Sequence, residues 1–149
     1  MIKTLLQEKI MSEELREGGC LCGQVRYKVP AQPVNTIVCH CKNCQKQAGS
    51  AFSVVAYFAR DSFQLDGELK TFEDKGSSGQ TVFRRFCGSC GSPVITDTED
   101  APGMGLIFIK AGTLDEVDDL KPSFHVWADS KQCWLTLADD QVQIPKQDF

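Results

Sequence analysis

The chain has 149 residues, 20 of them acidic and 16 basic, for a formal net charge of −4. That length suits a single domain with a real core, and 42% hydrophobic with 24% charged residues is globular rather than disordered composition. The acidic balance argues against a nucleic-acid-binding face.

The longest apolar runs, Ala51–Ala59 and Met104–Ala111, are strand-sized and far short of a membrane span. The opening MIKTLLQEKI carries charges where a signal peptide needs an unbroken apolar stretch. A soluble cytoplasmic protein is expected, with no membrane or nucleic-acid partner. Ile2, Leu5, Leu6 and Ile10 predict a helix over residues 1–17, an extension ended by Gly18-Gly19 ahead of a domain spanning 18–149. Val25, Tyr27 and Val29 alternate with polar neighbours as a half-buried strand closed by Pro30 and Pro33. Thr36–Cys41 is β-branched and reads as strand, and the polar Lys42–Ala48 as a turn or two of helix before Gly49. Further strands are predicted at Phe52–Phe58, Thr81–Phe86, Val94–Thr96, Leu106–Ile109, Phe124–Trp127 and Trp134–Leu137. Gly76–Gly79 and Asp97–Gly103 read as loops. Many short, regularly spaced strands make a mainly β domain.

Eight cysteines are the unusual feature, and seven fall in three groups: Cys20 with Cys22, Cys39-His40-Cys41 with Cys44, and Cys87 with Cys90. Without an export signal, such clustering means metal thiolates rather than disulfides. In a strand, Cys20 and Cys22 would project together while Leu21 points away. Cys87–Cys90 followed by Gly91 reads as a zinc knuckle. Joining the two halves closes a four-thiolate site of the structural kind.

The central group differs. Cys39 and Cys41 share a strand face, Cys44 returns from a turn, and three thiolates converge from one short segment. Three protein ligands with an open fourth position is the pattern of a reactive zinc site. His40 alternates to the opposite face and reads as a packing residue. Cys133 or His125 as a fourth ligand would make this a second closed site. The residues around each favour a buried apolar cysteine and a satisfied strand histidine instead. Zinc is favoured over iron, since rubredoxin-type sites pair two Cys-x-x-Cys units and one half here is Cys-x-Cys. Two zinc ions with seven thiolates take the formal charge to about −7, so nearby cations matter. Lys42 and Lys46 flank the central cysteines, and Arg84-Arg85 leads into Cys87, with Arg85 on the Cys87 face and Arg84 on the other.

GGCLCGQVRY at 18–27, CHCKNC at 39–44, GSAF at 49–52 and FCGSCG at 86–91 together resemble the glutathione-dependent formaldehyde-activating enzyme family, which includes centromere protein V type proteins. AGTLD at 111–115, FHVW at 124–127 and Trp134 extend the match, so that the resemblance covers about residues 17–140. It implies small coiled antiparallel sheets of the β-tent type. It also implies Cys20, Cys22, Cys87 and Cys90 as a structural zinc site and Cys39, Cys41 and Cys44 as the catalytic one. The implied activity is a carbon–sulfur lyase chemistry, joining formaldehyde to glutathione or a similar small thiol as S-hydroxymethylglutathione. No motif fixes a glutathione pocket; Arg84, Arg85, Lys42, Lys46 and Ser50 are candidates for anion contact. The alternatives are a non-catalytic zinc scaffold and a thiol-redox or zinc-sensing module.

Overall fold

The computed structural model describes residues 14–147. Among these residues eleven strands and one α-helix follow in chain order, with three short 3-10 turns besides: β1 (Leu15–Gly19), β2 (Arg26–Pro30), β3 (Asn35–Cys39), α1 (Lys42–Ala48), β4 (Ser53–Ala59), β5 (Gln64–Asp66), β6 (Leu69–Lys75), β7 (Thr81–Cys87), β8 (Pro93–Thr98), β9 (Leu106–Lys110), β10 (Phe124–Val126) and β11 (Val142–Gln143). They form a three-stranded sheet, β1-β2-β5, and an eight-stranded sheet, β11-β10-β3-β4-β9-β8-β7-β6. Pairing is antiparallel except where β10 runs parallel to both β3 and β11. No described helix is long and apolar enough to cross a membrane.

Residues paired across a sheet share a face, and neighbours along a strand alternate. One face of the large sheet therefore carries Ala56, Phe58, Ile95, Ile107 and Ile109. These pack against Tyr27 and Val29 of the small sheet, and Val25 just ahead of β2, to form the main core. The strand predicted from the alternation of Val25, Tyr27 and Val29 is thus present, and all three side chains are buried. The opposite face carries Ile37, Cys39, Val55 and, from β10, Val126, a second apolar cluster that Cys44 joins from α1. The polar segment expected to turn helical is α1, starting at Cys41 as its cap and ending at Gly49.

The predicted helix over 1–17 lies largely outside the described residues, and its last part is strand. Leu15–Gly19 pairs residue for residue with β2. Gly18 allows this because a side chain there would collide with the Tyr27 ring and the Thr113 carbonyl. The strand expected at Trp134–Leu137 does not form. The Leu135 N–H turns back onto the Gln132 carbonyl at 3.1 Å, and Trp134, 70% exposed, donates its indole N–H to Gln132 Oε1 at 2.6 Å. The edge of β10 is taken by β11 instead, so β propensity alone did not bring this stretch into the sheet.

Candidate metal centres

Cys20 and Cys22 lie on a turn rather than on a strand. The Gly23 N–H donates to the Cys20 carbonyl at 3.2 Å, and the Cys20 N–H donates to the Val25 carbonyl at 3.0 Å. This fold of the chain brings both sulfurs to one side and leaves Leu21 89% exposed. The second half comes from the β7–β8 turn, where the Gly91 N–H closes on the Cys87 carbonyl at 2.8 Å. Gly91 sits there at φ +77°, a conformation a side chain resists. Sγ–Sγ separations are 3.5 Å for Cys20–Cys22 and 3.8 Å for Cys22–Cys87, and all four sulfurs lie within 4.8 Å of one another. Tetrahedral zinc with Zn–S bonds of about 2.3 Å sets sulfurs about 3.8 Å apart, so the donor set fits that ion. The surroundings are mostly main-chain N–H groups, from Val25 to Cys20 Sγ at 3.2 Å and from Ser89 to Cys87 Sγ at 3.4 Å. Ser92 joins the two turns. Its Oγ accepts from the Leu21 N–H at 3.0 Å and lies 3.2 Å from Cys90 Sγ, and its hydrogen bonds draw the Cys90 thiol down to about 5.

Cys39, Cys41 and Cys44 also bring their sulfurs within 4.8 Å of one another. Cys39 ends β3, but Cys41 is the cap of α1 rather than a strand residue, and its Sγ accepts the Cys44 N–H at 3.3 Å. One residue therefore caps the helix and presents a ligand sulfur. The helix is held over the sheet by Gln45, whose Nε2 donates to the His40 and Ser130 carbonyls, and by Asn43, which donates to Asp74. Among the described residues, no other side chain joins this trio as a fourth donor. His125 donates or accepts elsewhere, with Nδ1 2.8 Å from His40 Nε2 and Nε2 2.8 Å from Gln141 Oε1. Cys133 is exposed and outside both groups, not the buried apolar residue expected. His40 does turn away from the sulfurs. It is wholly buried, packed edge-on against Phe52 and stacked on His125.

Two buried cations border the three sulfurs. Arg84, 5% exposed, donates from Nε to Asp74 at 2.8 Å and lies 4.0 Å from Cys44 Sγ. Burial works against its charge, but Cys44 and Asp74 outweigh that and hold the guanidinium above its ordinary value. Lys110, equally buried, donates to Ser53 Oγ at 2.7 Å. Burial pulls its ammonium down, while the charge of Cys44 pushes it back up. With three sulfurs in one small volume, charge concentrates on Cys44. The Cys39 and Cys41 thiols hydrogen-bond to it and draw it down to about 2 against burial, helped by Lys110 and Arg84. Cys39 is correspondingly pushed up by its two neighbours.

Of the cationic candidates read from sequence, Arg84 alone reaches the trio. Arg85 shares the Cys87 face and leans toward Phe83 instead, and Lys42, Lys46 and Ser50 are exposed. Lys110 was missed. Its signal was there, a lysine inside the apolar run Met104–Ala111, where a charge needs a partner if the run is buried.

Comparison with known proteins bears on the family and the fold. A Penicillium rubens protein named "Putative glutathione-dependent formaldehyde-activating enzyme" is 28% identical over 108 residues, 70% of this chain. The aligned region is 55% of that protein, so the chain spans about half the length of this relative. A crystal structure of a Rhodobacter sphaeroides protein superposes with a TM-score of 0.52 at 19% identity, covering 69% of this chain and 91% of the other. That likeness is one of fold. The profile of the family described as "Glutathione-dependent formaldehyde-activating enzyme" matches residues 15–130, the span that holds both cysteine groups, and the chain belongs to that family.

Proposed function

We propose that the chain is a zinc-dependent carbon–sulfur lyase that condenses glutathione, or a similar small thiol, with formaldehyde or another small aldehyde. In this reading Cys20, Cys22, Cys87 and Cys90 hold a structural zinc, and Cys39, Cys41 and Cys44 hold a catalytic one. The observation that carries it is the contrast in donor number: four sulfurs in one group, and three in the other with no fourth donor among the described residues. A zinc ion bound by three thiolates supplies Lewis-acid charge at an exchangeable position.

The protein's own residues do the rest. Cys41 is only partly buried while Cys39 and Cys44 are covered, so the group opens to solvent on the Cys41 side. Ile37, Val55 and Val126 floor it, and Arg84 and Lys110 set its charge. In the overall reaction the thiol sulfur bonds the carbonyl carbon, and the thiol proton ends on the former carbonyl oxygen. A reducing, cytoplasmic setting keeps such thiols available.

The test is the rate of formaldehyde–glutathione adduct formation with and without protein, corrected for the spontaneous reaction. A protein-dependent rate that disappears on chelation supports the reading. A rate equal to background overturns it. Metal analysis after reducing, anaerobic purification should return two zinc ions per chain; a red protein with visible absorption would instead mean iron.

A further inference from the structure

The two buried cations at the three-cysteine group differ in how their charge is met. Arg84 is paired with Asp74, a carboxylate 2.8 Å from its Nε. For Lys110, Ser53 Oγ is the sole hydrogen-bond partner among the described residues, and no carboxylate pairs with it. An ammonium has three N–H donors, so two are unspent at a residue 5% exposed. A buried charge left this way is costly unless an anion compensates it.

Register places Lys110 with the sulfurs. It pairs with Val55 on β4, Ser53 lies two residues along, and Ser53 pairs with Cys39 on β3. All four share the face over which α1 lies. Arg84 belongs to the same face through Thr96, directly opposite it on β8. Thr96 Oγ1 is buried and has no partner. That face therefore carries, beside the sulfurs, a buried cation whose only hydrogen-bond partner among the described residues is a hydroxyl, and, on β8, a buried hydroxyl with no partner.

Charge arithmetic says which kind. Three thiolates around a divalent ion would sum to −1, Lys110 adds +1, and Arg84 cancels Asp74, which leaves the group neutral. A neutral fourth ligand needs no help. An anionic one brings the group to −1 with Lys110 and to −2 without it. Resting on the reading of this group as the reactive centre, we propose that Lys110 is its specificity-determining residue. Its charge makes the centre accept an anionic sulfur, the thiolate of the substrate thiol, in preference to a neutral donor.

The experiment uses cobalt(II)-loaded protein titrated separately with 2-mercaptoethanol and with imidazole, read by sulfur-to-cobalt charge-transfer absorption and the ligand-field bands. Wild type is compared with Lys110→Met, Lys110→Gln and Lys110→Arg. Removing the charge should weaken 2-mercaptoethanol binding about 10- to 100-fold and imidazole binding less than about 3-fold, while Lys110→Arg stays within about 3-fold of wild type for both. Unchanged thiol affinity in the uncharged variants overturns the proposal. So does an equal loss for both ligands, or loss of cobalt or of the far-ultraviolet circular dichroism in both uncharged variants, since Lys110 would then be structural. Lys110-dependent thiol binding in a protein that does not speed adduct formation overturns the proposed reaction and leaves this inference standing. Adduct formation at low thiol concentration that Lys110→Met does not slow overturns this inference and leaves the reaction standing.

Discussion

The two cysteine groups use the same ligand atom for opposite ends. The four-cysteine group joins turns 65 residues apart in sequence, one leading into the small sheet and one between two strands of the large sheet. Its neighbours are main-chain N–H groups and one serine hydroxyl. The three-cysteine group comes from six consecutive residues, and buried charges from distant strands surround it: Arg84 from β7 and Lys110 from β9. On the proposed reading, a metal in the first would organise the chain, and in the second the folded chain would organise the metal. A ligand set that spans the fold constrains long loops, whereas one within a short segment closes almost nothing.

The largest expected effect tests that division directly. A structural zinc site supplies roughly 10–16 kcal/mol of apparent binding energy, against a domain stability of about 5–15 kcal/mol. Cys87→Ser should therefore yield little soluble protein. Cys41→Ser should stay folded, with one zinc lost and no adduct formation above background. Soluble yield, circular dichroism and metal content on the two variants decide it, and equal damage from both would erase the distinction between the groups.

A smaller effect sharpens the second half of the comparison. If the fold holds the three-cysteine group through charge, breaking that charge must cost stability even where no ligand sulfur is touched. Arg84→Ala leaves Asp74 and Cys44 without their buried partner, which should cost about 3–5 kcal/mol. Denaturant unfolding measures it. A cost under about 1 kcal/mol would mean water replaces the guanidinium easily and the group is less enclosed than its burial implies.

These differences explain what could be read from the sequence. That the cysteines gather as a set of four and a trio was legible, because close pairs in the chain must converge to hold a metal; the turn at Cys20 and Cys22 and the cap at Cys41, both read as strand, were not. Strand β2, with one buried face, was legible because alternation records burial, and β9, covered on both faces, because it is a β-prone apolar run. Edge strand β6 was not, since Leu69–Lys75 is mostly exposed on both faces and its Lys, Glu and Asp residues serve to blunt an open edge. Trp134–Leu137 misled in the opposite direction, with β-prone residues that turn back on Gln132 instead of pairing. Lys110 was hidden because its meaning depends on Cys39, 71 residues earlier in the chain and two strands away across the sheet.

A pH experiment examines the support behind the trio. Burial, with the charges of His125 and Lys131, pushes His40 down to about 4, whereas an unfolded histidine titrates near 6.5. Between those values the unfolded chain binds the extra proton. The stability contributed by neutral His40 is therefore complete above about pH 6.5 and is lost as pH falls toward 4. Urea midpoints should drop over that window by the equivalent of about 1–2 kcal/mol between pH 7 and pH 5. In His40→Phe this part of the slope should vanish, while any loss from protonation of ligand thiolates remains in both proteins. Parallel pH profiles would mean that His40 titrates alike in the folded and unfolded chain, and that its burial does not disfavour the charged form.

The smallest effect concerns the residue between two cysteines of the four-cysteine group. Leu21 lies between Cys20 and Cys22 in the chain, and its position alone would mark it as sensitive. Its side chain is nearly free in solvent, and its contribution is the main-chain N–H given to Ser92 Oγ. Any non-proline residue supplies that N–H. Leu21→Ser should therefore leave metal content at the wild-type value and shift stability by less than about 0.5 kcal/mol. Leu21→Pro removes the N–H and the Ser92 link, and should destabilise the turn by roughly 1–3 kcal/mol. If Leu21→Ser proved as harmful as Leu21→Pro, the leucine side chain would be covered by something in solution, and the turn would owe its shape to more than its backbone and its sulfurs.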